Sequence, residues 1–243
     1  MAKDISNLKL NKEQIDAIKF GSGALLIIAG AGTGKTTVAV ALALQHVFSL
    51  CLSKNTPHHT TKLAHLRTKK TERTQQSTRD EMPKIVLTRP IIEAADEHLG
   101  FIPGSVDEKI APYLEPAFAA VDKLKASMVV PESFDPRSLF KAVPLAYMRG
   151  HTIDHCGILE EAQNCNLAQL VCFLTRMGRD AKMIITADPS QHDRGRGRRA
   201  IVDVVKKLAD FEEVGIVRAT SEETLRDPFV TKVLRRLGVI NLE

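Results

Sequence analysis

The chain has no tryptophan and two tyrosines, and aromatic residues make up 5% of its 243 positions. That leaves little to stack on sugars or bases, which argues against a carbohydrate-binding role. Cysteine is scarce too. Cys51, Cys156, Cys165 and Cys172 show no CxxC spacing and three of them sit among apolar residues, so neither a zinc site nor a disulfide framework is expected. They read as small core residues. Long apolar runs are also missing. The longest, 24–29 and 38–44, fall far short of the roughly 20 residues that cross a bilayer. The opening stretch MAKDISNLKLNKEQ mixes Lys with Asp and Glu where a secretion signal needs an apolar segment. No membrane partner and a cytoplasmic location are expected.

What is present suits one α/β domain over residues 1–243. Hydrophobic residues at 44% and charged residues at 26% are ordinary for a globular chain long enough to bury a sizeable core. The net charge of +5 is unevenly spread: residues 53–84 hold eight Lys or Arg against three acidic residues and carry the whole excess. Residues 53–83, rich in Thr, Lys, Arg and Gln, predict a basic, mobile insert between the first helix and the second strand. An insertion of that kind is cheap, because closing a loop costs only about 0.6 kcal/mol more per doubling of its length.

Apolar runs at 25–29, 84–88, 156–159 and 182–186 each end in polar residues, and 37–50 is rich in helix formers. Short buried strands separated by helical stretches predict a mainly parallel sheet flanked by helices on both faces. Such a sheet takes its ligands beyond the carboxyl ends of the strands.

Residues 29–36 read Ala-Gly-Ala-Gly-Thr-Gly-Lys-Thr, a P-loop between strand and helix. Its glycines let the backbone curl around phosphate oxygens, and the following helix adds the positive end of its dipole. The expected nucleotide-binding set is Ala29, Gly30, Ala31, Gly32, Thr33, Gly34, Lys35, Thr36 and Thr37. Lys35 reaches the β and γ phosphates, and the Thr36 hydroxyl is placed to ligate magnesium. Ile158-Leu159-Glu160-Glu161 supplies carboxylates at a strand end: Glu160 to hold the metal through water, Glu161 to polarise the attacking water. A paired Glu at a helix start can equally be a capping feature. In Asp188-Pro189-Ser190-Gln191, Gln191 can bond the γ phosphate or the attacking water and Asp188 can orient it, although Asp and Pro also simply initiate turns.

The order of these motifs resembles the PhoH family, relatives of the nucleotide-binding half of superfamily 1 helicases. The resemblance runs from Asn11 to about Leu237. It is carried by Asn11-Lys12-Glu13-Gln14, the P-loop, Leu87-Thr88-Arg89-Pro90, Leu99-Gly100-Phe101-Ile102-Pro103-Gly104, Met148-Arg149-Gly150, Glu161-Ala162-Gln163-Asn164, Leu174-Thr175-Arg176 and Asp188-Pro189-Ser190-Gln191. The resemblance implies a RecA-like P-loop NTPase fold and a magnesium-dependent ATPase with ATP and Mg2+ as cofactors. By it Gln14 reads the adenine edge, since an amide both donates and accepts. Arg89 either touches single-stranded nucleic acid, as in the helicase relatives, or serves a structural ion pair.

Family members are thought to form homo-oligomeric rings, so an arginine from a neighbouring subunit would complete the site. Arg226 is the first candidate, followed by Arg149 and Arg176; each can also be a plain surface arginine.

Two departures stand out. The family has Asp-Glu where this chain has Glu160-Glu161, and a shift on the order of 1 Å at a metal-holding carboxylate can cost about 10²-fold in rate. The run Arg194-Gly195-Arg196-Gly197-Arg198-Arg199 has no family counterpart and suggests contact with a phosphate backbone through its four arginines. RNA or single-stranded DNA is therefore an expected partner, with weak sequence preference, unless the basic insert is only a solubilising loop. The leading expectation is an ATPase acting on RNA or a protein partner. The alternative is a hydrolysis-impaired nucleic-acid-binding protein in which ATP switches assembly. A small-molecule kinase is disfavoured by the helicase-like Gln14 and Gln191.

Overall fold

The computed structural model describes residues 20, 23–30, 32–53, 84–90, 106–125, 135–189, 195–219 and 236. β1 (Gly23–Ala29) leads through the Gly-rich turn into α1 (Lys35–Ser53). β2 (Ile85–Thr88), α2 (Val106–Lys125), β3 (Phe140–Ala142) and β4 (Cys156–Leu159) follow, then α3 (Leu167–Leu174), β5 (Lys182–Ala187), α4 (Gly195–Lys207) and β6 (Val214–Ala219). The strands form one six-stranded sheet in the order β3-β2-β4-β5-β1-β6. Every strand pair is parallel.

The two-residue period of a strand sorts its side chains between two cores. Leu25 and Ile27 of β1, Ile158 of β4 and Ile184 of β5 pack with α1 and α2 on one face. Leu26, Leu159, Met183 and Ile185 pack with α3 and α4 on the other. Both faces are covered, so β4 is apolar throughout, β5 is apolar except at Lys182 and Thr186, and both strands are fully buried. α1 has no internal Gly or Pro, and residues 38–44 are buried all round. It is the apolar helix against which the P-loop face of the sheet closes. α3 starts on a capping box: Asn166 accepts from the Gln169 N–H while Gln169 accepts from the Asn166 N–H, both at 2.9 Å.

The strands expected at 25–29, 84–88, 156–159 and 182–186 are β1, β2, β4 and β5, with ends shifted by at most two residues. β3 and β6, the two sheet edges, lie outside those expectations, as does α2. That helix runs through Pro112 and Pro116, both exposed, so the hydrogen bonds they forgo are lost on its solvent side. Cys156 and Cys165 are buried, free thiols, as expected of core residues, and Cys172 is partly buried. Residues 54–83 of the basic insert lie outside the described residues. Among the described residues, no helix is long and apolar enough to cross a membrane.

Candidate nucleotide site

The register brings the polar strand ends together. Thr88 pairs with Leu159, Leu159 with Ile185, and Ala187 with Ile28, so Arg89, Glu160, Asp188 and the P-loop follow four adjacent strands at the same sheet edge. β5 lies between β1 and β4. Its carboxyl end therefore falls between the P-loop and the carboxylate pair.

Within the P-loop, Gly32 and Gly34 have φ of 78° and 79°, backbone that a side chain disfavours, which is why glycine stands at those positions. The Thr33 hydroxyl, 3% exposed, donates to the Gly30 carbonyl at 2.9 Å and braces the turn. Val38 N–H to Gly34 O at 3.0 Å begins the ladder of α1, leaving the amides before it directed off the helix N-terminus. Lys35 Nζ donates to the carbonyls of Ala29 and Gly30, both at 2.7 Å, and lies 3.7 Å from Asp188 Oδ2. The ammonium thus sits inside the curl that phosphate oxygens would fill.

Glu160 is 4% exposed, and its backbone N–H bonds the Thr88 carbonyl at 2.9 Å. Burial pushes its carboxyl above the ordinary carboxylate range; a hydrogen bond from Thr36 and the charges of Arg89 and Lys35 pull it back, and Glu161 pushes it further up. Its Oε1 is nevertheless buried with no hydrogen-bond partner. An oxygen left bare beside a threonine hydroxyl is a donor set that suits a hard cation, and magnesium takes few protein ligands and keeps water and phosphate for the rest. The residues fit the ion. Among the described residues no three His, Cys, Asp or Glu gather into an all-protein metal cage.

Glu161 adopts left-handed backbone, φ 54° and ψ 38°. This turns the chain from β4 into a 3-10 turn, Ala162–Asn164, where Gln163 is 1% exposed. Gln163 Nε2 donates to Glu161 Oε2 at 2.6 Å, and its Oε1 accepts from the Asp188 N–H at 3.0 Å. Sequence reasoning assigns that amide no role of its own. The available signal is an uncharged polar residue, next to Ala162 and close to Cys165, two positions after the carboxylate pair.

Lys35, Thr36, Glu160, Glu161 and Asp188 are therefore brought to one sheet edge, joined by Arg89. Gln14, Ala31, Gln191, Arg194 and Arg226 lie outside the described residues. Arg196, Arg198 and Arg199 fall on the first turns of α4. Arg149 is exposed, and Arg176 is partly buried, with its Nη2 3.3 Å from Thr175 Oγ1.

A family model described as PhoH-like protein matches residues 71–237, and one described as UvrD/REP helicase N-terminal domain matches residues 10–82. The PhoH-like protein of Bacillus subtilis is 37% identical over 210 residues, covering 85% of this chain and 56% of that one. Protein PhoH of Escherichia coli K12 is 35% identical over 157 residues, covering 63% of this chain and 44% of the other. The chain spans about half the length of the curated relatives it matches. Among solved structures, the large terminase of a thermophilic bacteriophage superposes on 93% of this chain and 50% of its own, with a TM-score of 0.53 at 12% identity. That likeness is one of fold.

Proposed function

Because this chain belongs to the PhoH-like family, a family of P-loop ATPases, we propose that it binds ATP with magnesium and hydrolyses it, coupling turnover to work on RNA or a protein partner. The observation that carries the reading is the gathering of the Lys35 ammonium, the Glu160 and Glu161 carboxylates and the Asp188 turn at one sheet edge.

In this reading the β and γ phosphates displace the Ala29 and Gly30 carbonyls as partners of Lys35 Nζ, and the amides at the head of α1 take further phosphate oxygens. Thr36 and Glu160 would hold the magnesium ion. When bound, that ion supplies neutralisation of the charge on the phosphate oxygens. Glu161 orients the attacking water and draws its proton. Gln14 reads adenine, Gln191 meets the γ phosphate or the water, and Arg226 of a neighbouring subunit in a ring completes the site.

The second reading, ATP as an assembly switch with little turnover, is favoured by Glu160 itself. A side chain one methylene longer than Asp fills a buried position and carries a carboxyl that burial disposes toward its neutral form. The basic insert and Arg194, Arg196, Arg198 and Arg199 support a phosphate-backbone partner under either reading.

Steady-state ATP hydrolysis with magnesium, with and without single-stranded RNA, separates the two. Turnover stimulated by RNA and lost in Lys35→Ala supports the motor. Tight ATP binding without turnover, restored by Glu160→Asp, supports the switch, and failure to bind ATP removes both.

A further inference from the structure

Gln163 joins two segments that the chain separates by 25 residues. Its amide faces the Glu161 carboxylate with its donor and the Asp188 N–H with its acceptor, at 2.6 Å and 3.0 Å, while only 1% exposed. An amide is the side chain fitted to do both at once, because a carboxylate cannot donate and an ammonium cannot accept. Asp188, in turn, stands 3.7 Å from Lys35 Nζ. A path of one ion pair at 3.7 Å and two hydrogen bonds therefore runs from the lysine at the phosphate position, through the turn after β5, to the carboxylate after β4.

Resting on the ATPase reading, we propose that Gln163 is a positioning residue: it holds the Glu161 carboxylate oriented for water attack and ties that orientation to the Asp188 turn that senses what Lys35 is bound to. Two features carry this. Glu161 is only half-buried, and a glutamate side chain has several rotamers, so one oxygen must be held if the other is to meet water in a fixed direction. The hydrogen bond to Oε2 does this. The second feature is that the acceptor end of the same amide is spent on the backbone beside Asp188 and on no side chain that could swing away. When phosphate displaces the Ala29 and Gly30 carbonyls and draws the Lys35 ammonium away from Asp188, any movement of the turn pulls on the amide and, through it, on Glu161. A buried amide that merely satisfied the Asp188 N–H would affect folding and nothing else.

The experiment compares single-turnover phosphate release, affinity for a fluorescent ATP analogue with magnesium, and thermal melting. The proteins are the wild type, Gln163→Glu, Gln163→Leu, Glu161→Ala and the two doubles in the Glu161→Ala background. Gln163→Glu preserves shape and the acceptor for Asp188 but, once both carboxyls are ionised, sets a carboxylate against Glu161, so hydrolysis is followed from neutral to alkaline pH and judged where the rate has levelled. We expect it to slow hydrolysis on the order of 10²-fold with nucleotide affinity unchanged within about threefold. In the Glu161→Ala background neither change at Gln163 should slow hydrolysis further, because there is nothing left to position. Hydrolysis that stays at wild-type rate in Gln163→Glu overturns the inference, as does an equal loss in both backgrounds. A Gln163→Leu protein that melts early still leaves Gln163→Glu, of native shape, to decide. A wild type that binds the analogue yet releases no phosphate takes down the hydrolysis reading and this inference with it.

Discussion

Lys182 opens β5 and Asp188 follows its last residue, and both are buried, at 4% and 2% exposure. Their surroundings differ. Lys182 Nζ donates to the Phe20 carbonyl at 2.6 Å and lies 5.7 Å from the centre of the Phe20 ring, pinning Phe20 to the sheet. Nearby, His46 shares a hydrogen bond of 3.1 Å with the Asp180 carbonyl, and Cys156 is buried within the adjacent strand. Burial lowers the Lys182 ammonium and raises the Cys156 thiol to about 12. Charge at this end closes the structure. At the other end of the sheet, Glu160 Oε1 and Thr88 Oγ1 are buried without hydrogen-bond partners, and Lys35 donates to two carbonyls that a ligand oxygen can replace as acceptors. At the Lys182 end the lysine and His46 are answered within the protein, although Arg176 Nε is buried without a partner, whereas the Asp188 end leaves both Glu160 Oε1 and Thr88 Oγ1 bare. Such withheld groups cost folding free energy and are kept where something else is meant to bind.

That contrast can be broken by exchanging the expected effects of substitutions at the two ends. The largest effect is expected for Lys35→Ala: ATP turnover should fall on the order of 10³-fold, with little change in melting temperature. Phosphate release and differential scanning calorimetry read the two quantities, and a protein that melts early but turns over normally would erase the division. Glu161→Gln should lower turnover by about 10²–10³-fold while ATP still binds, seen as a kcat effect without a matching rise in Kd. Lys182→Ala should do the reverse. It removes a buried stem and leaves the Phe20 carbonyl without its donor, so urea unfolding should show a loss of about 2–3 kcal/mol, with kcat within about twofold of wild type.

The smallest effect sharpens the comparison by pH. A thiol raised in the folded state from 9.0 to about 12 keeps its proton when the unfolded chain has lost it. Its contribution to stability is therefore complete below pH 9 and declines as pH rises toward 12. Between pH 9 and 10.5 the wild type should lose about 2 kcal/mol more than Cys156→Ala, measured by urea titration under reductant.

Much of this is legible in the sequence because the responsible physics is local. A P-loop turn needs Gly32 and Gly34 at positive φ, and a strand buried on both faces is built on an apolar run, so the P-loop and β1, β2, β4 and β5 announce themselves. The edges do not. β3 is three residues long, and β6 is half-exposed and carries Arg218, so neither has the apolar run that marks a central strand. α2 is hidden by its prolines, whose penalty is borne on an exposed face. Glu160 and Glu161 can be placed at a strand end from sequence and given separate roles, but the difference in their surroundings cannot be read there. Glu160 is enclosed by Thr36, Arg89 and Lys35, whereas Glu161 leans on Gln163. Those neighbours arrive from separate stretches of chain, and no periodicity within any one of them records the meeting.

The left-handed backbone at Glu161 has a consequence for how such a protein changes over time. Among the described residues it is the one non-glycine with positive φ, and a side chain held there costs about 1–2 kcal/mol that glycine would not. A library sorted for heat resistance alone should therefore enrich Gly or Asn at position 161, and each thermally fitter clone would have discarded the carboxylate. Drift without demand for hydrolysis should run the same way, so the identity of residue 161 in a population of variants becomes a record of whether turnover was still under selection.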